Sequence, residues 1–481
     1  MKLSDLLSSV GAPFLASADP EITDITCDSR KVGPGSLFVA LPGARVDGHT
    51  FIPGAIQSGA AAIVAQRKVD TGDVPLVLVE HPREALALLS AAFFGHPAQK
   101  LTVIGITGTK GKTTTAHILK AILESAGHKT AMIGTVGYFI GTEKVADALN
   151  TTPESTDLHR FFARALSEGC THLVMEVSSQ ALKLQRTAGI LFDAALFLNL
   201  SPDHIGGAEH ADFEEYRDCK AMLFRQCRQA AGNLDDDHFS HMLGNCSVPV
   251  TSFGFSEKAQ VCGSAVTPLR GEGLLGSQFT VSGYDTPVQF NMPGLFNVTD
   301  ALAAITVARM LDVPENAVRQ GLLAARVRGR TEVFPHAGGA IVLIDYAHND
   351  VSFASLLSTL AEYDHDRIIV VFGAGGDRPR MRRTDMAREA AKYADFAVIT
   401  ADNPRSEPVE AICADITAGL EGKIPSVEIY DRAQAIRHAL DMAGERDIVA
   451  LLGKGHEEYI EINGVRSHFS EREVLEDYFR K

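Results

Sequence analysis

The stretch GITGTKGKTTT, residues 105–115, holds the residue types of a phosphate cradle. An apolar run, Leu101 to Ile104, precedes it and reads as a buried strand; AHILKAILESAG follows it and reads as an amphipathic helix. Glycines let backbone N–H groups turn toward a polyphosphate, and the helix N-terminus adds partial positive charge. Lys112 then reaches the terminal phosphates, and the Thr113 hydroxyl suits Mg²⁺. Five residues separate Gly105 from Gly111, one more than the common spacing has.

Other chemistry-bearing residues sit where apolar strands end. THLVMEVSS ends on Glu176 and Ser178, and AALFLNLSPDH ends on Asp203 and His204. In parallel sheets ligands gather at the carboxyl ends of the strands, so these residues are expected beside the cradle. A carboxylate at Glu176 suits a Mg²⁺ on the phosphates, and His204 suits a second cation or a phosphate. Lys220 lies in the helical stretch DFEEYRDCKAMLF, and residue type alone gives it no role beyond a solvated charge. Arg326, Arg328 and Arg330 form an alternating basic set suited to phosphate charge. Asp345 ends another strand, where an Asp can accept ribose hydroxyls. Asp402-Asn403-Pro404-Arg405 and Gly453-Lys454-Gly455-His456-Glu457 end two more. Together they read as a zwitterion pocket, with Arg405 on a carboxylate, Glu457 on an ammonium, and Arg382 and Arg383 adding positive charge.

The elements that must position these groups follow from the pattern. A chain of 481 residues suggests about three domains, and 45% hydrophobic content can bury sizeable cores. Boundaries near 98 and 330 give domains 1–98, 99–330 and 331–481. The first alternates short strands and helices, including the helix EALALLSAAFFG. The second is a parallel α/β sheet around the cradle, with an antiparallel patch over 248–293. The third repeats strand–helix units through AIVLIDYAH, RIIVVFGAGG, FAVITADNP, SVEIYD and DIVALLGKGHE, a second doubly wound sheet with its own ligand edge. The acidic run Leu234 to Asp237 reads as a solvated turn. A net charge of −15 argues against a nucleic-acid or anionic-membrane surface. Seven scattered cysteines, with no zinc spacing, fit a reducing cytosol. No apolar run approaches the roughly 18 residues of a membrane span. MKLSDLLSSVGAPFLASA reads as a short amphipathic helix rather than a signal peptide, and a cytoplasmic location is expected.

Nearly the whole chain resembles the Mur ligases, the ATP-dependent amide-forming family of peptidoglycan synthesis. The motifs that carry the resemblance are TGTKGKTTT, NTTPES, MEVSSQAL, FLNLSPDHIG, CKAMLF, GLFN, GRTE, DYAH, FGAGGDR, DNPRSE and GKGHE. It implies a smaller α/β N-terminal domain, a central P-loop ATPase-like sheet and a Rossmann-like C-terminal domain. It further implies an ADP-forming ligase using ATP and two Mg²⁺ ions, acting as a monomer. Its substrates would be UDP-N-acetylmuramoyl-L-alanyl-D-glutamate and, from DNPR, meso-2,6-diaminopimelate. The same ligase adding L-lysine, a folylpolyglutamate synthase-like enzyme, and a nucleotide-binding protein without ligase activity are the alternatives.

Carried over by position, the resemblance implies catalytic roles for Lys112, Glu176, His204, Lys220 and Arg330. ATP would contact Gly108, Thr109, Lys110, Gly111, Lys112, Thr113 and Thr114, with Asn297, Arg330 and Asp345. Thr113, Glu176, His204 and Lys220 would serve the metals, with Lys220 as N6-carboxylysine. Ser29, Asn150, Thr151, Thr152, Ser178 and Arg186 would hold the UDP-dipeptide. Arg383, Asp402, Asn403, Pro404, Arg405, Gly453 and Glu457 would hold the amino acid. Asp300, Leu184 and the run Asn349, Asp350, Val351 depart from the family pattern.

Overall fold

Strands form where apolar residues run unbroken, and helices where the period lengthens. Ile368–Phe372 and Ile448–Leu452 are apolar throughout and wholly buried. Such runs need cover on both faces, as in doubly wound sheets. The computed structural model describes residues 1–11, 18–43, 46–203, 205–206, 209–271, 273–336 and 338–480. Its contacts group into two compact units, Met1–Gln260 with Ala303–Ala317, and Val261–Leu302 with Val318–Lys481.

The first unit holds a small and a large sheet. In the small one, Asp24–Thr26, Ser36–Val39, Ala62–Ala65 and Leu76–Leu78 pair in chain order, all parallel. Helix Pro82–Phe93 and the expected N-terminal helix, Leu3–Ser8, cover one face with Leu3, Leu6, Leu86 and Leu89. The large sheet has six parallel strands in the order Val250–Gly254, Ala230–Asn233, Ala194–Phe197, Thr102–Thr107, His172–Glu176 and Thr130–Gly134. Gly137–Ile140 and Glu143–Ala146 extend it antiparallel. The chain leaves Thr102–Thr107 toward one side and later returns on the other. The loop after this strand therefore sits at a topological switch point, where the fold opens a ligand crevice.

The second unit has three antiparallel strands, Val261–Gly271, Leu274–Val281 and Val288–Phe290. The antiparallel patch expected from residue 248 thus starts later, because Val250–Gly254 is a parallel partner of Ala230–Asn233. A six-stranded sheet follows. Glu332–Pro335 lies antiparallel to Ile341–Asp345, and then Ile448–Leu452, Ile368–Phe372, Phe396–Ile399 and Ser426–Glu428 run parallel. All five strands read from the sequence of this region are present. Asn349 closes a capping box with Ser352 on helix Asp350–Leu360.

The acidic run is the turn expected from the sequence, with Asp235 and Asp237 exposed, and two of its carboxylates also hold backbone amides. Asp236 accepts from the amides of Leu200 and His238, and Asp235 accepts from those of Phe255 and Ser256. A carboxylate beside unpaired backbone N–H groups is worth more there than in water.

Two buried features set the stability of the units. In the second, Arg432 and Glu471 are fully buried and paired at 2.7 Å. Arg432 also donates to the carbonyls of Ala401 and Leu452, joining two strand ends to helix Glu471–Phe479. Glu471→Ala leaves that guanidinium buried without its counter-charge, so we expect a loss of about 3–5 kcal/mol in denaturant unfolding. Glu471→Gln should cost clearly less. In the first unit, burial pushes His159 down to about 4, and neither ring nitrogen has a hydrogen-bond partner among the described residues. His117 is likewise lowered to about 4 by burial. The folded pKa lies below the unfolded one, so their contribution is complete above about pH 6.5 and is lost as pH falls toward 4. His159→Phe should flatten the fall in melting temperature across that window.

Candidate active site

The cradle forms because glycine and asparagine fix its backbone. Gly111 caps helix Lys112–Ser125 at φ 84°, a left-handed conformation that glycine adopts freely. Asn199, at the end of the neighbouring strand, locks the loop from both sides. Its Oδ1 accepts from Lys110 N at 2.9 Å, and its Nδ2 donates to Lys110 O at 3.1 Å. Its own carbonyl accepts from Thr109 N. Thr109 Oγ1 lies 3.0 Å from the hydroxyl of buried Tyr216.

Two amines meet at the Gly108 carbonyl. Lys112 Nζ donates to it at 2.8 Å and to Thr109 O at 3.0 Å, and Lys220 Nζ donates to it at 2.8 Å. Lys220 is 2% exposed and stands 4.6 Å above the Tyr216 ring. Burial holds its amine well below the usual lysine range, and the nearby Lys112 charge pushes it further down. This lysine is therefore no solvated helix charge, which is how residue type alone would have it.

Glu176 is 1% exposed. Its Oε1 accepts from Thr113 Oγ1 at 2.8 Å and from Thr135 N at 2.9 Å, and its Oε2 accepts from Thr135 Oγ1. A Cβ on Gly134 would stand 2.3 Å from Oε1, so this position must be glycine for the carboxylate to reach the cradle. Hydroxyl and carboxylate oxygens together are hard donors of the kind Mg²⁺ takes. Among the described residues no group of three His, Cys, Asp or Glu forms a metal cluster. His204 lies outside the described residues.

Asn150, Thr151, Ser178 and Arg186 line one cavity of about 330 Å³ with Lys112 and Lys220. Thr152 is buried behind it. Its hydroxyl donates to Glu176 O and accepts from Ser178 N, while its carbonyl accepts from Arg186 Nη1. Arg186 also pairs with Glu154 at 2.6 Å. Ser29 is not on this cavity. It begins the turn Ser29–Lys31, whose flanks Asp28 and Lys31 line a neighbouring cavity of about 220 Å³ with Asn150 and Arg160.

The second unit carries its own cavity, of about 140 Å³. Arg378, Arg382, Arg383, Asp402, Asn403, Arg405, Gly453 and Glu457 line it, with Tyr346 and His348. Its organiser is Lys454, fully buried, whose Nζ lies within 3.4 Å of Asp402, Asn403 and Glu457. Asn403 Nδ2 donates to Glu457 Oε2 at 2.8 Å, and Tyr346 OH to Glu457 Oε1 at 3.4 Å. Gly453 sits at φ 111°, where a Cβ would stand 2.8 Å from Asp402 Oδ2. Arg405 holds a left-handed φ of 52°, and its Nη1 donates to Gly376 O. Backbone bonds to Glu461 and Asn463 hold that strained residue in place. The carbonyl of Pro404 abuts Gly376. Arg383, 1% exposed, is bound to Glu407 and Asp415.

The residues carried over to the nucleotide in this unit gather around Thr331. Asn297 Nδ2 donates to Thr331 Oγ1 and Pro293 O, so its two donors are used within the protein. Asp345 accepts from the amides of Thr331 and Ala347 at 2.7 Å each, and burial raises its carboxyl. Arg330 lies 4.6 Å from the Tyr346 ring. Asn199 and Tyr216 are missing from the residues singled out by sequence, and Lys454 stands there only within its strand-end run, without a role of its own. All three lie in motifs that carry the resemblance or beside them, but their partners are remote in the chain.

Known proteins share this sequence and this fold. The Mur ligase middle domain matches residues 106–308, the Mur ligase glutamate ligase domain 329–455, and the Mur ligase family catalytic domain 21–94. UDP-N-acetylmuramoyl-L-alanyl-D-glutamate--2,6-diaminopimelate ligase of Caldanaerobacter subterraneus subsp. tengcongensis is 40% identical over 482 residues, covering 99% of this chain and 98% of the relative. A solved structure of a ligase of that name superposes with a TM-score of 0.76 at 26% identity, covering 100% of this chain and 99% of the other. A folylpolyglutamate synthase of Mycobacterium tuberculosis, complexed with ADP and AMPPCP, shares the fold at a TM-score of 0.58 and 18% identity, covering 76% of this chain and 91% of its own. With full-length identity of this size added to the matching domains, this α/β chain belongs to the Mur ligase family.

Proposed function

We propose that this enzyme joins meso-2,6-diaminopimelate to the D-glutamate γ-carboxylate of UDP-N-acetylmuramoyl-L-alanyl-D-glutamate, at the expense of ATP, in peptidoglycan precursor synthesis. The observation that carries the amino-acid assignment is the second cavity, where guanidinium groups and the Glu457 carboxylate line one small space. A zwitterion with an additional carboxylate fits that charge pattern better than lysine does. In this reading 1–98 binds the UDP moiety, 99–330 binds ATP, and 331–481 binds the amino acid.

The chemistry is an exchange of bonds at two centres. A γ-carboxylate oxygen attacks the γ-phosphorus of ATP, and the bond to ADP breaks. The amine nitrogen of the amino acid then attacks the acyl carbon of the acyl phosphate; phosphate leaves and the nitrogen loses a proton. The physical demand is charge, because a carboxylate must approach a triphosphate. Lys112 and the N-terminus of helix Lys112–Ser125 bring positive charge to the cradle, and Asn199 keeps the loop preorganised. Asn150, Thr151, Ser178 and Arg186 orient the dipeptide in the cavity shared with Lys112. Thr113 and Glu176 would hold one Mg²⁺, which would offset phosphate charge when bound. We assign Arg330, Asn297 and Asp345 to the nucleotide, and Ser29 to the UDP moiety. His204, with Lys220, is assigned to a second Mg²⁺.

Lys220 is suited to carbamylation. A neutral amine adds through its lone pair to CO₂ and releases one proton, leaving a carboxylate where the chain otherwise has a lysine. The depressed basicity of the buried amine favours that neutral form. Lys220→Ala is expected to reduce turnover nearly to background, with no rescue by bicarbonate. Substantial residual turnover would remove the carbamate from the mechanism.

Substrate choice is tested by phosphate release with the muramoyl dipeptide and ATP, comparing meso-diaminopimelate, L-lysine and L-ornithine. Diaminopimelate is expected to give the highest kcat/KM. Arg405→Ala removes the partner of the carboxylate that lysine lacks. Losing such a charged pair costs about 2 kcal/mol or more, so the KM for diaminopimelate should rise ~30-fold while that for ATP stays put.

A further inference from the structure

On the ligation proposed above, the cavity of the first unit must admit a nitrogen nucleophile, and its charge is against that. An amine of ordinary basicity is protonated near neutral pH. It arrives as an ammonium, which cations repel and whose nitrogen has no lone pair to attack with. The described residues lining the cavity include the cations Lys112 and Arg186, the less basic Lys220 and a single carboxylate, Glu209. The other acids nearby are engaged elsewhere: Glu176 with Thr113 and Thr135, Glu154 with Arg186, and Glu215 with Lys183.

The backbone that carries Glu209 is pinned on both sides. Lys183 Nζ donates to the Glu209 carbonyl at 2.8 Å, so this residue is fastened through its main chain while its side chain lines the cavity. The next residue, His210, has a fully buried side chain. Its Nε2 hydrogen-bonds with Ser179 Oγ at 2.9 Å, and its carbonyl accepts from Gly206 N. Burial disfavours its charged form and the Lys183 charge adds to that, so the imidazole serves as a neutral pin. Ala211 N donates to Glu215, and Asp212 caps helix Phe213–Ala221, which carries Tyr216 and Lys220. Glu209 thus sits on a fixed turn beside the helix that bears Lys220. A proton acceptor held in this way needs no reorganisation to act.

We propose that Glu209 is the proton acceptor of the amide-forming step. Its carboxylate draws the substrate ammonium into the cavity, takes the proton that frees the nitrogen lone pair, and passes it to solvent. The nitrogen then bonds to the acyl carbon, the electron pair of the breaking acyl–oxygen bond leaves with phosphate, and the second proton shed by the nitrogen goes to that phosphate. This rests on the acyl-phosphate ligation proposed above.

The test uses the full chain with ATP, Mg²⁺ and the muramoyl dipeptide. It compares wild type, Glu209→Gln and Glu209→Asp with two nucleophiles, meso-diaminopimelate and hydroxylamine. Hydroxylamine is neutral at the assay pH and needs no base to free its lone pair. Glu209→Gln should lower kcat with diaminopimelate about 100-fold or more, with the KM values for ATP and dipeptide unchanged. It should still form hydroxamate at the wild-type rate. Glu209→Asp, a carboxylate one methylene shorter, should recover part of the loss. A kcat for Glu209→Gln within about twofold of wild type overturns the assignment, and so does a loss that hydroxylamine does not bypass; both leave the ligase function standing. A wild-type enzyme that releases no phosphate with the dipeptide and either nucleophile overturns the ligation reading and this assignment with it.

Discussion

The Gly108 carbonyl accepts hydrogen bonds from two lysine amines, and much of the first unit follows from that meeting. Two ammonium groups on one oxygen repel, and burial penalises both. The cost falls on Lys220, which lies deeper and has its charged form disfavoured by desolvation and by Lys112 together. The same carbonyl thus holds one half-buried lysine and one that is enclosed and less basic than usual. The surrounding residues serve this division. Tyr216 covers Lys220 with its ring and ties its hydroxyl to Thr109 in the cradle. Asn199 holds the loop so that the carbonyl points where both amines reach.

The carboxylate side is built with the same economy. Glu176 is buried, and three donors converge on it, two from Thr135 and one from Thr113. The backbone just beyond it is held by the Thr152 hydroxyl, whose carbonyl in turn orients Arg186. Glu176 and the residues that line the first unit's cavity, Ser178 and Arg186, are thus parts of one hydrogen-bonded chain. A change at Thr152 would be felt at both, although it does not line the cavity.

The second unit solves a different problem, that of holding opposite charges apart in a small space. Lys454, fully buried, gathers Asp402, Asn403 and Glu457 around one ammonium and so fixes the acidic wall. The basic wall is fixed by backbone carbonyls: Gly376 for Arg405 and His348 for Arg382.

The sequence by itself determined the elements and their order. Unbroken apolar runs ending in polar residues marked the strands that end at Glu176, Asp345, Asp402 and Gly453, because burial on both faces leaves no other composition for them, whereas Thr130–Gly134, which brings Thr135 to Glu176, was not among them. The glycine-rich cradle and its helix were legible for the same local reason. The antiparallel patch was placed too early, since Val250–Gly254 differs from its successors only in its partner. What needed tertiary structure was every property set by a distant neighbour. Lys220 in DFEEYRDCKAMLF has the local pattern of a solvated lysine, and only packing against a loop 112 residues away buries it. Arg382 and Arg383 are adjacent and identical in type. One helical step decides which is paired with Glu407 and Asp415 and which is tethered to the His348 carbonyl, and a linear sequence does not record which partners wait on each side.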